Sequence, residues 1–296
     1  MQSTPLILLA SMRPLQWIKN LFLFAALVFS GHLFIAHDVL RIFLGFFCFS
    51  LAASGVYLVN DITDLERDRL HPVKSSRPLP SGALSISAAI TASVILTLAA
   101  LAGAFLLERN FGLILLTYVL INVVYSIRLK NVVILDVMTI AAGFVLRVVG
   151  GAAIIEVPTS EWLIICTVLL SLFLGFSKRR HELTMLETDA DDHRSVLQHY
   201  SPYFLDQMIG IVTASTVMSY VLYTISEDTV HKFGTKNLIF TVPFVLYGIF
   251  RYLYLVHKKE EGGDPTRLAI SDRPLLANMI LWICAASVII YGYAGT

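Results

Sequence analysis

Nine long apolar runs constrain this chain more than any other feature. They fall near residues 21–36, 42–59, 83–107, 111–127, 132–155, 162–177, 206–225, 238–256 and 275–293. A helix crossing a bilayer needs roughly 20 predominantly apolar residues. Inside lipid, each backbone polar group must also find its partner within the chain. The runs therefore predict an all-α, polytopic membrane bundle of about nine transmembrane helices. Composition agrees: 56% of the 296 residues are hydrophobic and 15% are charged, against roughly 25% charged in a soluble domain. Residues 1–296 read as a single transmembrane domain. A net charge of +1 creates no global basic field, so no nucleic-acid partner is expected.

The connecting segments set the expected orientation. With the N-terminus in the cytoplasm and strict alternation, 16 Lys and Arg fall on the cytoplasmic side and 4 on the other. That asymmetry follows the positive-inside rule and predicts an N-in, C-out protein of a plasma membrane. The long polar loops 60–82, 178–205 and 257–274 are then all cytoplasmic, and the chemistry is expected there. No small-residue cleavage site precedes the first long run, so a removable signal peptide is not expected. Cys48, Cys166 and Cys284 lie in apolar runs without metal-ligand spacing and read as packing residues. The sequence does not decide oligomeric state; a homo-oligomer is compatible with it.

The segment after the second run carries the densest chemistry. Asn60, Asp61, Asp64 and Asp68 place four oxygen-bearing side chains within nine positions. Asn60, Asp64 and Asp68 repeat every four residues, which on a continuous helix aligns them on one face, with Asp61 at its border. Hard oxygen donors suit Mg2+, which keeps waters and bridges to phosphate oxygens. Carboxylates this close to a membrane are costly without a cation. Asp61, Asp64 and Asp68 are thus the candidate catalytic carboxylates, and all four residues are candidate metal ligands. His71-Pro72 is expected to end the helix and turn Lys74 and Arg77 back toward phosphate charge. The alternative is a solvated loop of mixed charge.

Other candidates are more scattered. Asp136 stands alone in an apolar run, with Arg147 eleven residues later. Eleven residues make about three helical turns, so Asp136, Gly143 and Arg147 share a face, but a rise of roughly 16 Å prevents a direct Asp136–Arg147 pair. They are expected to line one polar cavity at different depths, unless other helices satisfy them. Gly143, Gly150 and Gly151 fit close helix packing equally well. Lys178, Arg179 and Glu182 leave the sixth run as either a membrane-end anchor or a phosphate clamp. Trp17 and Lys19 fit an interfacial belt, and Lys19 and Asn20 are within sequence reach of the site. The 262–274 segment has the composition of a lid and no assigned chemistry.

These motifs resemble those of the UbiA superfamily of intramembrane prenyltransferases. The resemblance rests on Asn60, Asp61, Asp64 and Asp68 followed by His71-Pro72, Lys74 and Arg77-Pro78. It implies helices around a central cavity open to lipid. The branch of decaprenyl-phosphate phosphoribosyltransferases is more similar still. It shares R-P-x-Q-W-x-K-N at Arg13 to Asn20, Y-S-x-x-L-K at Tyr125 to Lys130 before the lone Asp136, G-F-x-L-R at Gly143 to Arg147, and K-R-x-x-E at Lys178, Arg179 and Glu182. A second D-x-x-x-D motif, usual in aromatic prenyltransferases, is missing at Asp136, which is followed four residues later by Ile140.

The resemblance implies Mg2+-dependent transfer of 5-phosphoribose from phosphoribosyl pyrophosphate to a polyprenyl phosphate, supplying a cell-envelope glycan in a bacterial plasma membrane. Lys19, Asn20, Lys74, Arg77, Tyr125, Lys130, Asp136, Arg147, Lys178, Arg179 and Glu182 are the implied substrate contacts. Two rival expectations stand beside it. One is prenyl transfer from a prenyl diphosphate to an aromatic or other acceptor. The other is a non-enzymatic transporter or lipid-binding protein.

Overall fold

A computed structural model describes residues 4–70, 73–186, 195–258 and 263–292. Among them there is no strand, and eight helices of 19–28 residues are long and apolar enough to cross a membrane. In order, α1 is Thr4–Ser11 and α2 is Ala25–Ser30, entered through a 3-10 helix over Pro14–Phe24. The long α3 (Ala36–Thr63) is followed by short α4 (Leu65–Leu70), then α5 (Ile86–Leu107), α6 (Arg109–Ile127), α7 (Leu135–Ile154) and α8 (Glu161–Leu186). The remainder is α9 (Pro202–Ile225), short α10 (Glu227–Phe233), α11 (Val242–Lys258), short α12 (Pro265–Ser271) and α13 (Arg273–Gly292).

Eight of the nine expected spans are thus single helices, the seventh connection adding a 3-10 turn over Asn237–Thr241 ahead of α11. The first differs. Instead of one helix over 21–36, Pro14–Ser30 forms a shorter apolar segment, 3-10 and then α, that stops where Gly31 adopts φ 87°. Pro14 starts it, with Arg13 left-handed at φ 53° before the proline. Trp17 donates its indole N–H to Ser54 of α3 at 3.1 Å. The long polar loops are partly helical: α8 runs on to Leu186, and α4 and α12 interrupt the other two. His71-Pro72 lies outside the described residues.

Local chemistry explains the helix starts. Ser85, Glu108, Ser201 and Asp264 each accept an orphan N–H at the head of α5, α6, α9 and α12, the usual capping solution. Pro202 and Pro265 occupy first turns where no N–H is needed. Packing then divides in two. Leu23, Phe49, Phe111 and Leu115 centre one core among α2, α3, α6 and α7. Val137, Phe173, Leu205 and Tyr252 centre a second among α7, α8, α9 and α11. Contact is close enough at Gly151 that a Cβ would stand 2.1 Å from the Leu23 carbonyl oxygen. Outside, large apolar side chains are bare, Leu106 being 88% and Leu98 61% exposed. A continuous apolar exterior of this kind marks a lipid-facing surface rather than a water-facing one: this is a multi-pass integral membrane protein.

Candidate active site

Between the two cores lies a cavity of about 2350 Å³, well above the roughly 300–1,000 Å³ of ordinary ligand pockets. Its middle is lined by apolar and aromatic side chains such as Phe22, Phe144, Leu170 and Phe173. Charge gathers at the end where α3, α6, α8 and α11 finish. Asn60, Asp64, Asp68, Lys74, Arg77, Tyr125, Lys130, Arg147, Lys178, Glu182 and Lys19 all line it. Eleven sequence candidates therefore meet in one chamber.

The acidic cluster is not on one uninterrupted helix. α3 ends at Thr63, and Asp64 leaves helical geometry at φ −101°, ψ 6° before α4 begins. The break is slight, because Asp64 N–H still donates to the Asn60 carbonyl at 3.0 Å and Asp68 N–H to the Asp64 carbonyl at 2.8 Å. Asn60, Asp64 and Asp68 consequently all line the cavity, as their spacing predicts. Asp61 does not. It is 3% exposed, ion-paired to Arg13 and to Arg77 at 3.3 Å, and it borders a separate cavity of about 230 Å³. Arg77 also meets Asp68 at 2.9 Å, with Lys74 3.6 Å from the same carboxylate. Both cations thus lie against the acidic segment. Burial, then the neighbouring Arg13, lowers the Arg77 pKa against the pull of Asp61 and Asp68. From the α6–α7 connection, buried Lys130 donates to Asp64 at 2.5 Å.

Deeper in the cavity, Arg147 is nearly enclosed. Its guanidinium donates to Asn20 Oδ1 at 2.8 Å, to the Gly143 carbonyl at 2.7 Å and to the Tyr118 hydroxyl at 3.1 Å. It also sits over the rings of Phe49, Tyr118 and Phe144. These rings and dipoles hold a cation without neutralising it. Asn20 is fully buried behind it, donating to Ser50 Oγ at 2.9 Å, so it orients Arg147 rather than lining the cavity. Lys19 lies in the 3-10 part of Pro14–Ser30, outside the eight spans. Burial and the nearby Arg147 lower its pKa to about 8, with Asp264 opposing.

Two further expectations are corrected by position. Asp136 and Arg179 do not line the cavity; they satisfy one another. Arg179 Nε donates to Asp136 Oδ2 at 2.6 Å, the Tyr200 hydroxyl donates to Asp136 Oδ1 at 2.8 Å, and both charged residues are essentially inaccessible. Lys178 and Glu182, 3.9 Å apart, keep the cavity face of α8. Residues that the sequence reading left unassigned also enter the chamber: Arg13, Tyr57, Asn122, His181 and Asp264. Asp264, in the segment read as a lid, accepts from Gln16 at 3.3 Å. Neither had a local signal: a residue before proline ordinarily takes extended backbone rather than the left-handed form seen at Arg13, and the neighbours of Asp264 come from the other end of the chain.

Among the described residues, no group of three or more His, Cys, Asp or Glu gathers as a metal cage. The 60–68 segment puts two carboxylates and an amide on the cavity wall, from Asp64, Asp68 and Asn60. Such a hard, incomplete oxygen set fits an Mg2+ that retains waters and shares phosphate oxygens. A large apolar chamber with a cationic, carboxylate-bearing mouth defines a class: a membrane-embedded site suited to an apolar chain and to phosphate charge.

Comparison with known proteins makes the class specific. The chain belongs to the UbiA prenyltransferase family, whose pattern matches residues 20–271. It is 30% identical over 295 residues to the decaprenyl-phosphate phosphoribosyltransferase of Mycolicibacterium smegmatis, covering 96% of this chain and 92% of that one. The protein of the same name from Mycobacterium tuberculosis H37Rv is 30% identical over 277 residues, covering 92% and 90%. In three dimensions the chain matches a UbiA homologue from Archaeoglobus fulgidus bound to GPP and Mg2+. The TM-score is 0.73 over 96% of this chain and 99% of that one, at 20% identity, a likeness of fold.

Proposed function

We propose that this protein transfers 5-phosphoribose from phosphoribosyl pyrophosphate to a polyprenyl phosphate. The charge balance of the cavity mouth carries this reading from the structure. Among the described residues, seven cations line this end (Arg13, Lys19, Arg67, Lys74, Arg77, Lys130 and Lys178), with Arg147 deeper, against four carboxylates, Asp64, Asp68, Glu182 and Asp264. A prenyl diphosphate alone offers one anionic group. A sugar diphosphate with a 5-phosphate, meeting a lipid phosphate, offers three. The relatives named decaprenyl-phosphate phosphoribosyltransferase, similar over almost the whole chain, support the same pair of substrates.

In this reading the diphosphate lies against Asn60, Asp64 and Asp68, with Lys74, Arg77 and Lys130 around it. Asn60, Asp64 and Asp68 are the residues that would hold Mg2+, which when bound supplies Lewis-acid neutralisation of the diphosphate charge. Asp61 holds Arg13 and Arg77 in place from behind. Arg147 and Lys19 receive the remaining phosphate charge, and the apolar chamber takes the polyprenyl tail. A lipid phosphate oxygen attacks C1 of the ribose; a new C1–O bond forms as the bond to diphosphate breaks, and diphosphate leaves with the electron pair. Phosphate monoesters are already largely ionised near neutrality, so no strong general base is needed. Catalysis then rests on orientation and on fixed positive charge around the leaving group. The charged mouth faces the cytoplasm of a bacterial plasma membrane, a placement supported by the distribution of Lys and Arg. The test is to give purified protein ribose-labelled phosphoribosyl pyrophosphate, polyprenyl phosphate and Mg2+. Label should move to the lipid fraction, and chelation should stop it; failure of transfer with chelator-sensitive binding absent would overturn the proposal.

A further inference from the structure

The turn that carries Lys130 into the site is strained, and a residue far away in sequence holds it there. At Ile134 the chain adopts φ 69°, ψ −46°, with Leu135 N–H donating to the Val133 carbonyl at 2.8 Å. This is a γ-turn of the rare positive-φ type, at a β-branched residue for which positive φ is a genuine outlier. Side-chain packing does not enforce it, since Ile134 is 39% exposed. The backbone does have a partner: Ile134 N–H donates to the Tyr200 hydroxyl oxygen at 2.7 Å. The same hydroxyl gives its own proton to buried Asp136, which Arg179 holds from the other side and links to cavity-lining Glu182. Burial raises the Tyr200 pKa, so the hydroxyl keeps that proton. Strain that persists where the surroundings over-determine it tends to serve a site.

We infer that Tyr200 is a positioning residue: by latching the Ile134 turn it fixes Lys130 on Asp64 and so shapes the diphosphate end of the cavity. The Asp136–Arg179 pair orients the latch, which gives these two residues a role although neither lines the chamber. Without the hydroxyl, the turn relaxes toward unstrained backbone, and Lys130, four residues upstream, moves with it. Glycine accepts positive φ at no steric cost. A glycine at 134 should therefore let the turn keep its shape with no latch.

The inference rests on reading this end of the cavity as a diphosphate site, and two readouts separate them. Amide hydrogen exchange over 128–135 reports the latch, and binding of inorganic diphosphate with Mg2+ by calorimetry reports the site. Tyr200→Phe should accelerate exchange at Ile134 and weaken diphosphate binding about tenfold, the scale of one lost hydrogen bond in a charged network. Adding Ile134→Gly should return binding to within about twofold of wild type. A purely structural Tyr200 would not be rescued by a glycine 66 residues away. Unchanged exchange in Tyr200→Phe, or weakened binding that Ile134→Gly does not restore, overturns the inference. Wild-type protein that binds no diphosphate would overturn the site reading instead, while exchange still decides the latch.

Discussion

Lys19 is held near its own titration point by competition among buried charges. Burial and Arg147 favour loss of its proton, Asp264 favours keeping it, and the balance lies at about 8. The protonated form attracts phosphate, so the favourable interaction is present below that pH and is lost as pH rises through it. For the free enzyme, kcat/KM for the phosphate-bearing substrate should fall above about pH 8, by up to about tenfold per unit. Lys19→Arg keeps its charge and should flatten that limb; an unchanged limb in the variant would assign the titration elsewhere. Asp136 and Asp64 make a contrasting pair. Asp136→Ala takes from Arg179, which is 1% exposed, one of its two carboxylate partners and leaves Glu182 as the other; it should destabilise the protein by about 1.5–3 kcal/mol in thermal denaturation. Asp64→Ala leaves Lys130 beside the cavity. It should cost about 10²–10³ in turnover with little change in melting temperature. The sequence set Asp64 in a metal-ligand motif and Asp136 as a lone acid expected to line the same cavity. A lone acid in an apolar run signals a buried polar partner, but Arg179 lies 43 residues away and no spacing rule reveals it.

At the scale of elements, periodicity predicted well wherever helices are regular. Eight apolar runs became the expected spans because lipid leaves the backbone few alternatives. It failed where geometry departs from 3.6 residues per turn. The 3-10 stretch Pro14–Phe24 shifts the first apolar segment. Asp61, read as bordering the ligand face, lies one residue from Asn60 on α3, about 100° around the helix, and meets Arg13 instead of the chamber. Packing between elements is also testable. Gly151→Ala drives a Cβ into the backbone of Leu23, whereas Gly210, in α9, has nothing within 4 Å of an added Cβ. Gly151→Ala should lower stability by about 1–3 kcal/mol through overpacking. Gly210→Ala should be neutral or raise it by up to about 1 kcal/mol through helix propensity. Equal effects would mean that the close approach of α7 to Pro14–Phe24 is not as described.

The whole molecule is two packed half-bundles around a chamber that is apolar along its length and charged at its mouth. Composition and charge asymmetry made that polarity legible in the sequence, since they depend on counts rather than on partners. The chamber's depth and the withdrawal of Asp136 from it were not legible, because both arise from contacts among helices distant in the chain. The turning away of Asp61 matters for function: it leaves Asp64 and Asp68 as the carboxylates of the first motif that face the cavity, among the cations Lys74, Arg77 and Lys130. The central claim is that the diphosphate at this site belongs to the sugar and the lipid is the acceptor. Its most direct test offers the purified protein, with Mg2+ and polyprenyl phosphate, a phosphoribosyl pyrophosphate labelled separately in the ribose and in the diphosphate. The account predicts ribose label in the lipid product and all diphosphate label released to water. Retention of diphosphate label in the lipid, or transfer only when a prenyl diphosphate and a separate acceptor are supplied, would contradict it.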